Sequence, residues 1–343
     1  MKKYLLDLRL RRITSRAPGY ALLQLTDPVR PLPPMAPGQF VQVRVDGAPA
    51  TFLRRPISIH FVDRETNELW LLVRAIGDGT RRIAALVEGA TLNVLLPLGR
   101  GFTVERQTPS PSLRGVEGSP TLDVAASQKA FSLCEDTPQN ILLSPSEEGR
   151  GGSHEGPGGH ESLGLLLVGG GVGVAPLLFL GSELVRFGHR PIFLLGGRTA
   201  ADLVQLDHFR RLGEVCLTTE DGSAGERGFV TQHSLWQRVL PLAASPASAS
   251  PSGEASPSPS FGSVSGGFPA GFSCSRIYTC GPKPMMQAVA RLARERGIPC
   301  EVSLENQMAC GLGACLCCVE DTTSGHRCVC TDGPVFDVDE LKW

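Results

Sequence analysis

Six of the eleven cysteines in this 343-residue chain crowd between Cys310 and Cys330. The opening stretch, MKKYLLDLRLRRITS, has charges inside its apolar run and lacks the continuous apolar segment of a secretory signal, so a cytoplasmic setting is expected. In a reducing compartment, crowded cysteines serve metal or redox chemistry in place of a disulfide framework. Such a segment must fold as a loop around its centre, and the rest of the chain must supply the scaffold. Two stretches rich in Ser, Pro and Gly, 106–159 and 243–273, are read as insertions. The second has too little apolar surface to offset chain entropy and is expected to be disordered. The first carries short apolar patches, AFSLC and NILL, that are not assigned to an element. Without the two stretches 258 residues remain, enough for two domains and a small appendage.

The cysteine segment reads MACGLGACLCCVE, followed by HRCVCTDGPVFD. Cys310, Cys315 and Cys318 stand as C-x4-C-x2-C, the spacing of a plant-type [2Fe-2S] ferredoxin, with a fourth thiolate further on. Two sulfide-bridged irons need two thiolates each, and one short loop can supply three. Gly311 and Gly313 let the backbone come close and turn amide N–H groups towards sulfur. Cys328 and Cys330 are both near enough to be the fourth ligand, and Cys317, which breaks the spacing, is expected to be a spectator. A structural zinc site would pair Cys315 and Cys318 with Cys328 and Cys330 and leave Cys310 idle.

The first hundred residues alternate apolar and polar positions over short runs, YALLQLTD, GQFVQVRVD, ELWLLVRAIG and ATLNVLLPLG, separated by Pro-rich and Gly-rich turns. These predict strands of an antiparallel barrel or sandwich. FLRRPISIH adds the start of a strand, and GTRRIAALVEG predicts a short helix with Ile83, Leu86 and Val87 at helical spacing. From Gly164 onward, buried strands alternate with helical stretches: LLLVGG, APLLFLGSELVRFG, PIFLLGGR, FRRLGEVCLTTED, IYTCGP and PMMQAVARLARERG. That alternation predicts a parallel, doubly wound sheet. The expected division is a barrel over 1–105, an α/β domain over 160–300 and a separate cluster unit over 301–343.

Three further motifs bear on chemistry. In RPIS, Arg55 and Ser58 lie three apart on an extended segment and can set a guanidinium and a hydroxyl on one ligand. Gly77, Gly79 and Thr80 precede the short helix and can hold a pyrophosphate, which makes the barrel a candidate flavin site. LLLVGGGVGVAP reads as strand, glycine loop and helix, and its glycines allow a dinucleotide close approach. It is not a strict GxGxxG with a downstream acid, so a two-domain reductase variant fits better than a standard Rossmann unit. A turn needed only for packing is the alternative. In YTCGP, Cys280 taken alone is more simply buried filler, and Met285 and Met286 are expected in the core.

Charge and length exclude some classes. Thirty-three Lys and Arg against thirty-four Asp and Glu give a net charge of −1, and aromatic residues are 6%, so no nucleic-acid surface is expected. Ser162–Ser182 carries no charge over 21 residues and imitates a membrane span, but its six glycines and Pro176 favour a buried strand, a glycine loop and then a helix beginning near Pro176.

Taken together, RPIS, GDGT, GGGVGVAP, YTCGP and CGLGACLCC with VCTDGPVF resemble the electron-transfer subunits of class 1B dihydroorotate dehydrogenases, within the ferredoxin reductase superfamily. The resemblance implies an FAD-binding β-barrel, an α/β parallel-sheet NAD-binding domain and a small C-terminal [2Fe-2S] loop domain. It places Arg55, Pro56, Ile57 and Ser58 near FAD, Leu72, Val73 and Arg74 along it, and Gly79 and Thr80 on its pyrophosphate. NAD would dock on Gly170, Gly171 and Gly173 and on the turn at Gly281, with Cys280 close to where nicotinamide meets flavin and taken as catalytic. Cys310, Cys315, Cys318 and Cys330 would ligate the cluster.

The resemblance also implies an FMN-containing catalytic subunit as partner, in a heterotetramer with two copies of each chain. Electrons from dihydroorotate would then cross the cluster and FAD to NAD+ in pyrimidine biosynthesis. Three features depart from the pattern: the insertions, the extra Cys317 and Cys328, and LLVR where an aromatic residue often stacks on flavin. Alternative readings are the small subunit of another NAD(P)H-flavin-[2Fe-2S] reductase, of the ferredoxin:NADP oxidoreductase or sulfide dehydrogenase type, and a non-catalytic metal-binding interaction protein. A redox-sensing regulator would need a DNA-binding element, which neither motif nor charge provides.

Overall fold

A computed structural model describes residues 2–15, 17–47, 51–104, 164–241 and 272–343. The patches AFSLC and NILL, and the disorder expected of the second insertion, lie outside the described residues, apart from Phe272 and Ser273.

Six strands close into an antiparallel barrel in the order β1-β2-β5-β4-β3-β6. They are β1 (Tyr4–Thr14), β2 (Tyr20–Thr26), β3 (Phe40–Val43), β4 (Arg55–Asp63), β5 (Glu68–Arg74) and β6 (Thr91–Leu98). Period-2 alternation drives this closure. Along β1, Leu6, Leu8 and Leu10 are buried while Leu5, Asp7 and Arg9 face out. Leu23, Leu25, Leu69, Leu71 and Val94 fill the interior. Each such residue contributes roughly 1.5–3 kcal/mol of transfer free energy. The short helix α1 (Asp78–Ala84) buries Ile83 but ends before Leu86, and Val87 is exposed, so only one of the three apolar positions seats fully.

The second sheet runs β10-β9-β8-β7-β12-β13-β16, the last of these being Val335–Asp337. Its strands β7 (Gly164–Gly170), β8 (Pro191–Gly197), β9 (Glu214–Thr219), β10 (Glu226–Arg227), β12 (Phe272–Cys280) and β13 (Cys300–Ser303) are parallel. A short β11 (Val239–Pro241) pairs in parallel with the start of β12. Helices α2 (Ala175–Arg186), α3 (Leu206–Leu212) and α4 (Lys283–Glu295) complete the α/β arrangement. The uncharged 162–182 segment is thus strand β7, a tight turn and α2. No helix among the described residues is long and apolar enough to cross a membrane.

The cysteine-rich segment forms a hairpin of β14 (Val319–Thr322) and β15 (Gly325–Cys328) and then returns as β16 (Val335–Asp337), antiparallel to β13. Its last strand therefore joins the main sheet, while β14 and β15 form a two-stranded sheet of their own. The cause is its apolar tail: Phe336, Val338 and Leu341 are buried in the same core as Val302 and Ala293.

Barrel and sheet are tied at two places. His60 Nδ1 lies 2.8 Å from the Ala175 carbonyl, Phe61 meets Phe179 edge-on at 6.3 Å, and Arg64 pairs with Glu183 at 3.0 Å. At the other place Tyr278 Oη donates to Thr103 O at 2.8 Å, and Thr103 N donates to Glu301 Oε2 at 2.9 Å.

Candidate functional site: two cavities and a cysteine loop

A cavity of about 250 Å³ opens beside the barrel. Strand alternation sends Leu72 and Arg74 of β5 into it while Val73 turns into the core. Pro56, Ile57 and Ser58 of β4 form one wall, and Thr80 lies at one end. Arg55 is held against the turn before α1: its Nη1 donates to Leu53 O at 3.0 Å, and a Cβ on Gly79 would come within 2.6 Å of its Nε. Thr80 Oγ1 accepts from the Ile76 and Gly77 amides, each at 3.1 Å, which fixes that turn. A cation and a hydroxyl thus stand together at a glycine with no room for a side chain, an arrangement that suits a pyrophosphate.

A larger cavity, about 420 Å³, sits over the carboxyl ends of the parallel strands, where open α/β sheets bind ligands. Gly170 and Gly171 line it, Gly171 with φ +57°. Gly173 and Gly281 do not. They pack on each other beneath it, so their lack of side chains serves the fit of two turns. Met286 is core, as expected, but Met285 faces the cavity, because α4 starts directly at the turn after β12. Arg198, Glu220 and Phe229, which carry no motif signal, line it too. Arg74 borders both cavities.

Cys280 ends β12 fully buried, with its thiol donating to Glu305 Oε1 at 3.8 Å. Burial first, and then the Glu305 carboxylate, push the thiol well above its ordinary range, so it stands as a neutral S–H group. Glu305 is open to solvent through the smaller cavity yet surrounded by protein, and burial raises its carboxyl.

Glu305, Asn306 and Met308 carry the chain from the wall of that cavity directly into the cysteine loop. Backbone amides there point at sulfur: Leu312 N and Cys315 N to Cys310 Sγ at 3.3 and 3.4 Å, Gly313 N to Cys330 Sγ at 3.2 Å, and Cys330 N to Cys318 Sγ at 3.4 Å. Gly311 and Gly313 supply the turns, at φ +67° and +81°. The amides of Cys317 and then Cys310 hold the Cys315 thiol down to about 6, whereas burial pushes Cys330 up to about 12. Cys328 instead closes the β15 turn, its amide donating to Asp332 Oδ2 at 2.9 Å. Cys317 is part of the loop's bonding: its sulfur accepts from Ala309 N at 3.1 Å and lies 3.5 Å from Cys315 Sγ. No three His, Cys, Asp or Glu side chains among the described residues converge as on a single metal ion. Donor amides aimed at several thiols suit a group that carries negative charge on sulfur.

An antiparallel barrel and a parallel sheet, with adjoining cavities and a glycine loop at the sheet's carboxyl edge, make up the ferredoxin reductase-like fold. A solved NADH-dependent reduced ferredoxin-NADP oxidoreductase shares this fold at TM-score 0.65 and 22% identity, covering 98% of this chain and 90% of that one. Residues 305–342 match the iron-sulfur cluster binding domain of dihydroorotate dehydrogenase B. The dihydroorotate dehydrogenase B (NAD(+)) electron transfer subunit of Shouchella clausii (strain KSM-K16) is 34% identical over 313 residues, 89% of this chain and 86% of the relative. That of Bacillus cereus (strain G9842) is 32% identical over 310 residues, with the same coverage. The chain belongs to the family of dihydroorotate dehydrogenase B electron transfer subunits.

Proposed function

We infer that this chain is the electron-transfer subunit of a dihydroorotate dehydrogenase B, carrying FAD and a [2Fe-2S] cluster and delivering electrons from the FMN of a catalytic subunit to NAD+ in pyrimidine biosynthesis. The observation that carries this reading is one of order. The flavin-type cavity shares Arg74 with the nucleotide-type cavity on one side and runs through Glu305–Met308 into the cysteine loop on the other. Nicotinamide exchanges two electrons as hydride, a [2Fe-2S] cluster carries one, and a flavin handles both, so a flavin belongs between them.

The chain's task is alignment. Arg55, Gly79 and Thr80 hold the FAD pyrophosphate, while Pro56, Ile57, Ser58, Leu72 and Arg74 line the ring. Gly170 and Gly171 let NAD approach, with Met285 and Phe229 as apolar walls. Cys280 is a neutral donor that orients Glu305 at the flavin cavity. Cys310, Cys315, Cys318 and Cys330 hold the cluster, Cys330 in preference to Cys328 because its sulfur receives an amide and its own amide serves Cys318.

A family of this kind works with a separate catalytic subunit, and we infer two copies of each. The division at 1–105, 160–300 and 301–343 stays useful as a functional one. The ten cysteines among the described residues are unbridged, which suits a cytoplasmic setting. Co-expression with the FMN subunit tests the reading: a complex containing FAD, FMN and [2Fe-2S] that reduces NAD+ with dihydroorotate is expected. The same cofactors on a chain that binds a ferredoxin-linked or sulfur-linked partner and ignores dihydroorotate would overturn it.

A further inference from the structure

Gln42 lies on β3 between Val41 and Val43 and is completely buried. Neither its Nε2 nor its Oε1 has a hydrogen-bond partner. An unpaired buried polar group is destabilising, and a carboxamide left this way has two. Packing alone would favour an apolar residue here. Its neighbours Phe40 and Leu98, with Leu95 packed against them, belong to the hydrophobic cluster that holds Cys318, Cys330 and Val329.

The carboxamide presses on the cysteine loop. A Cβ on Gly311 would fall 2.8 Å from Gln42 Nε2, 3.0 Å from its Cγ and 3.1 Å from its Cδ. Gly311 follows Cys310 and precedes Leu312, whose amide already points at Cys310 Sγ. This polar side chain of the barrel therefore meets the backbone carrying the first cysteine, and acceptors gathered in this loop include the sulfurs of Cys310, Cys318 and Cys330.

We propose that Gln42 donates its Nε2–H to a sulfur of the [2Fe-2S] cluster held by this loop and so raises the cluster's reduction potential. A donor to sulfur stabilises the extra negative charge of the reduced state, and hydrogen bonds to the sulfurs are among the terms that set such potentials. The inference rests on the cluster reading of the loop.

The test uses the full chain reconstituted with FAD and iron-sulfur, as wild type and as Gln42→Leu. Iron, sulfide and FAD contents come first, and a wild-type chain that takes up no cluster refutes the reading of the loop itself. With the cluster present, redox titration followed by EPR is expected to show Gln42→Leu with unchanged iron and FAD. At a fixed potential its reduced-to-oxidised cluster ratio falls roughly three- to tenfold, while the flavin titration does not move.

Wild-type protein labelled with ¹⁵N at the glutamine side-chain nitrogen gives a second measurement. Pulsed EPR of the reduced cluster is expected to detect a ¹⁵N coupling that disappears in Gln42→Leu. An unchanged cluster potential in a fully loaded variant overturns the proposal. If Gln42→Leu cannot hold a cluster, the labelled wild type decides: no coupling means that the carboxamide is paired elsewhere, for example with water.

Discussion

Gly173 and Gly281 meet backbone to backbone beneath the larger cavity. A Cβ on Gly173 would stand 2.5 Å from the Gly281 nitrogen and 2.6 Å from the Cys280 carbonyl oxygen. Gly173→Ala must push the turns after β7 and β12 apart. Overpacking of this kind costs about 1–3 kcal/mol, and we expect it to surface as a KM for NADH raised about tenfold or more. FAD and iron contents stay at wild-type values. Steady-state reduction of an artificial acceptor measures this, and an unchanged KM would separate the contact from nucleotide binding.

Arg55 is the cation that faces the Gly79 turn. A charge-assisted hydrogen bond contributes about 1.5–3 kcal/mol, so Arg55→Ala should weaken FAD binding by roughly ten- to hundredfold, with the cysteine loop untouched. Flavin fluorescence during titration of the apoprotein reads the affinity directly. Wild-type affinity in the variant would remove Arg55 from the flavin site.

The two neighbouring cysteines, Cys328 and Cys330, are separable by substitution. Cys330→Ser is expected to lose most of the bound iron and acid-labile sulfide, because the buried sulfur that accepts from Gly313 is gone. Cys328→Ser should retain both, since the role of Cys328 is the amide bond to Asp332. Iron analysis and the visible spectrum decide, and the reverse pattern would exchange the two assignments.

His60 makes the join between barrel and sheet sensitive to acid. Burial, with a smaller contribution from His208, pushes its imidazole down to about 4 from 6.5 against the opposing Ala175 contact. The folded chain therefore refuses a proton that the unfolded chain accepts. The stability is present in full above pH 6.5 and is lost as pH falls towards 4, by up to about 3 kcal/mol. Urea melts between pH 4.5 and 7.5 should show a flatter acid limb for His60→Asn than for wild type. Parallel curves would place the acid sensitivity elsewhere.

Much of the scaffold is legible from periodicity. YALLQLTD, ELWLLVRAIG and ATLNVLLPLG are β2, β5 and β6, and LLLVGGGVGVAP is strand, turn and helix as read. The first strand shows the same alternation at Leu6, Leu8 and Leu10, but the charges between them obscure its pairing with β6. The return of the cysteine segment as β16 is not legible, because Val335–Asp337 is too short to announce partners 32 to 36 residues earlier. The same limit applies to the site. Arg55, Arg74 and the loop cysteines sit in motifs, whereas Glu305, Met285 and Gln42 matter through neighbours that only tertiary packing supplies. Gln42 in particular occupies an ordinary position in an alternating strand. What sets it apart is the glycine pressed against it from the far end of the chain.

Arg74 borders two cavities with one guanidinium, also 5.6 Å from the Tyr20 ring. A side chain that can settle towards either occupant makes the two occupancies thermodynamically linked, and linkage is reciprocal. Whatever factor bound flavin applies to nucleotide affinity, bound nucleotide must return to flavin. If the two cavities hold flavin and nucleotide as proposed, flavin retention during turnover is expected to vary with the NAD+ and NADH concentrations around the enzyme.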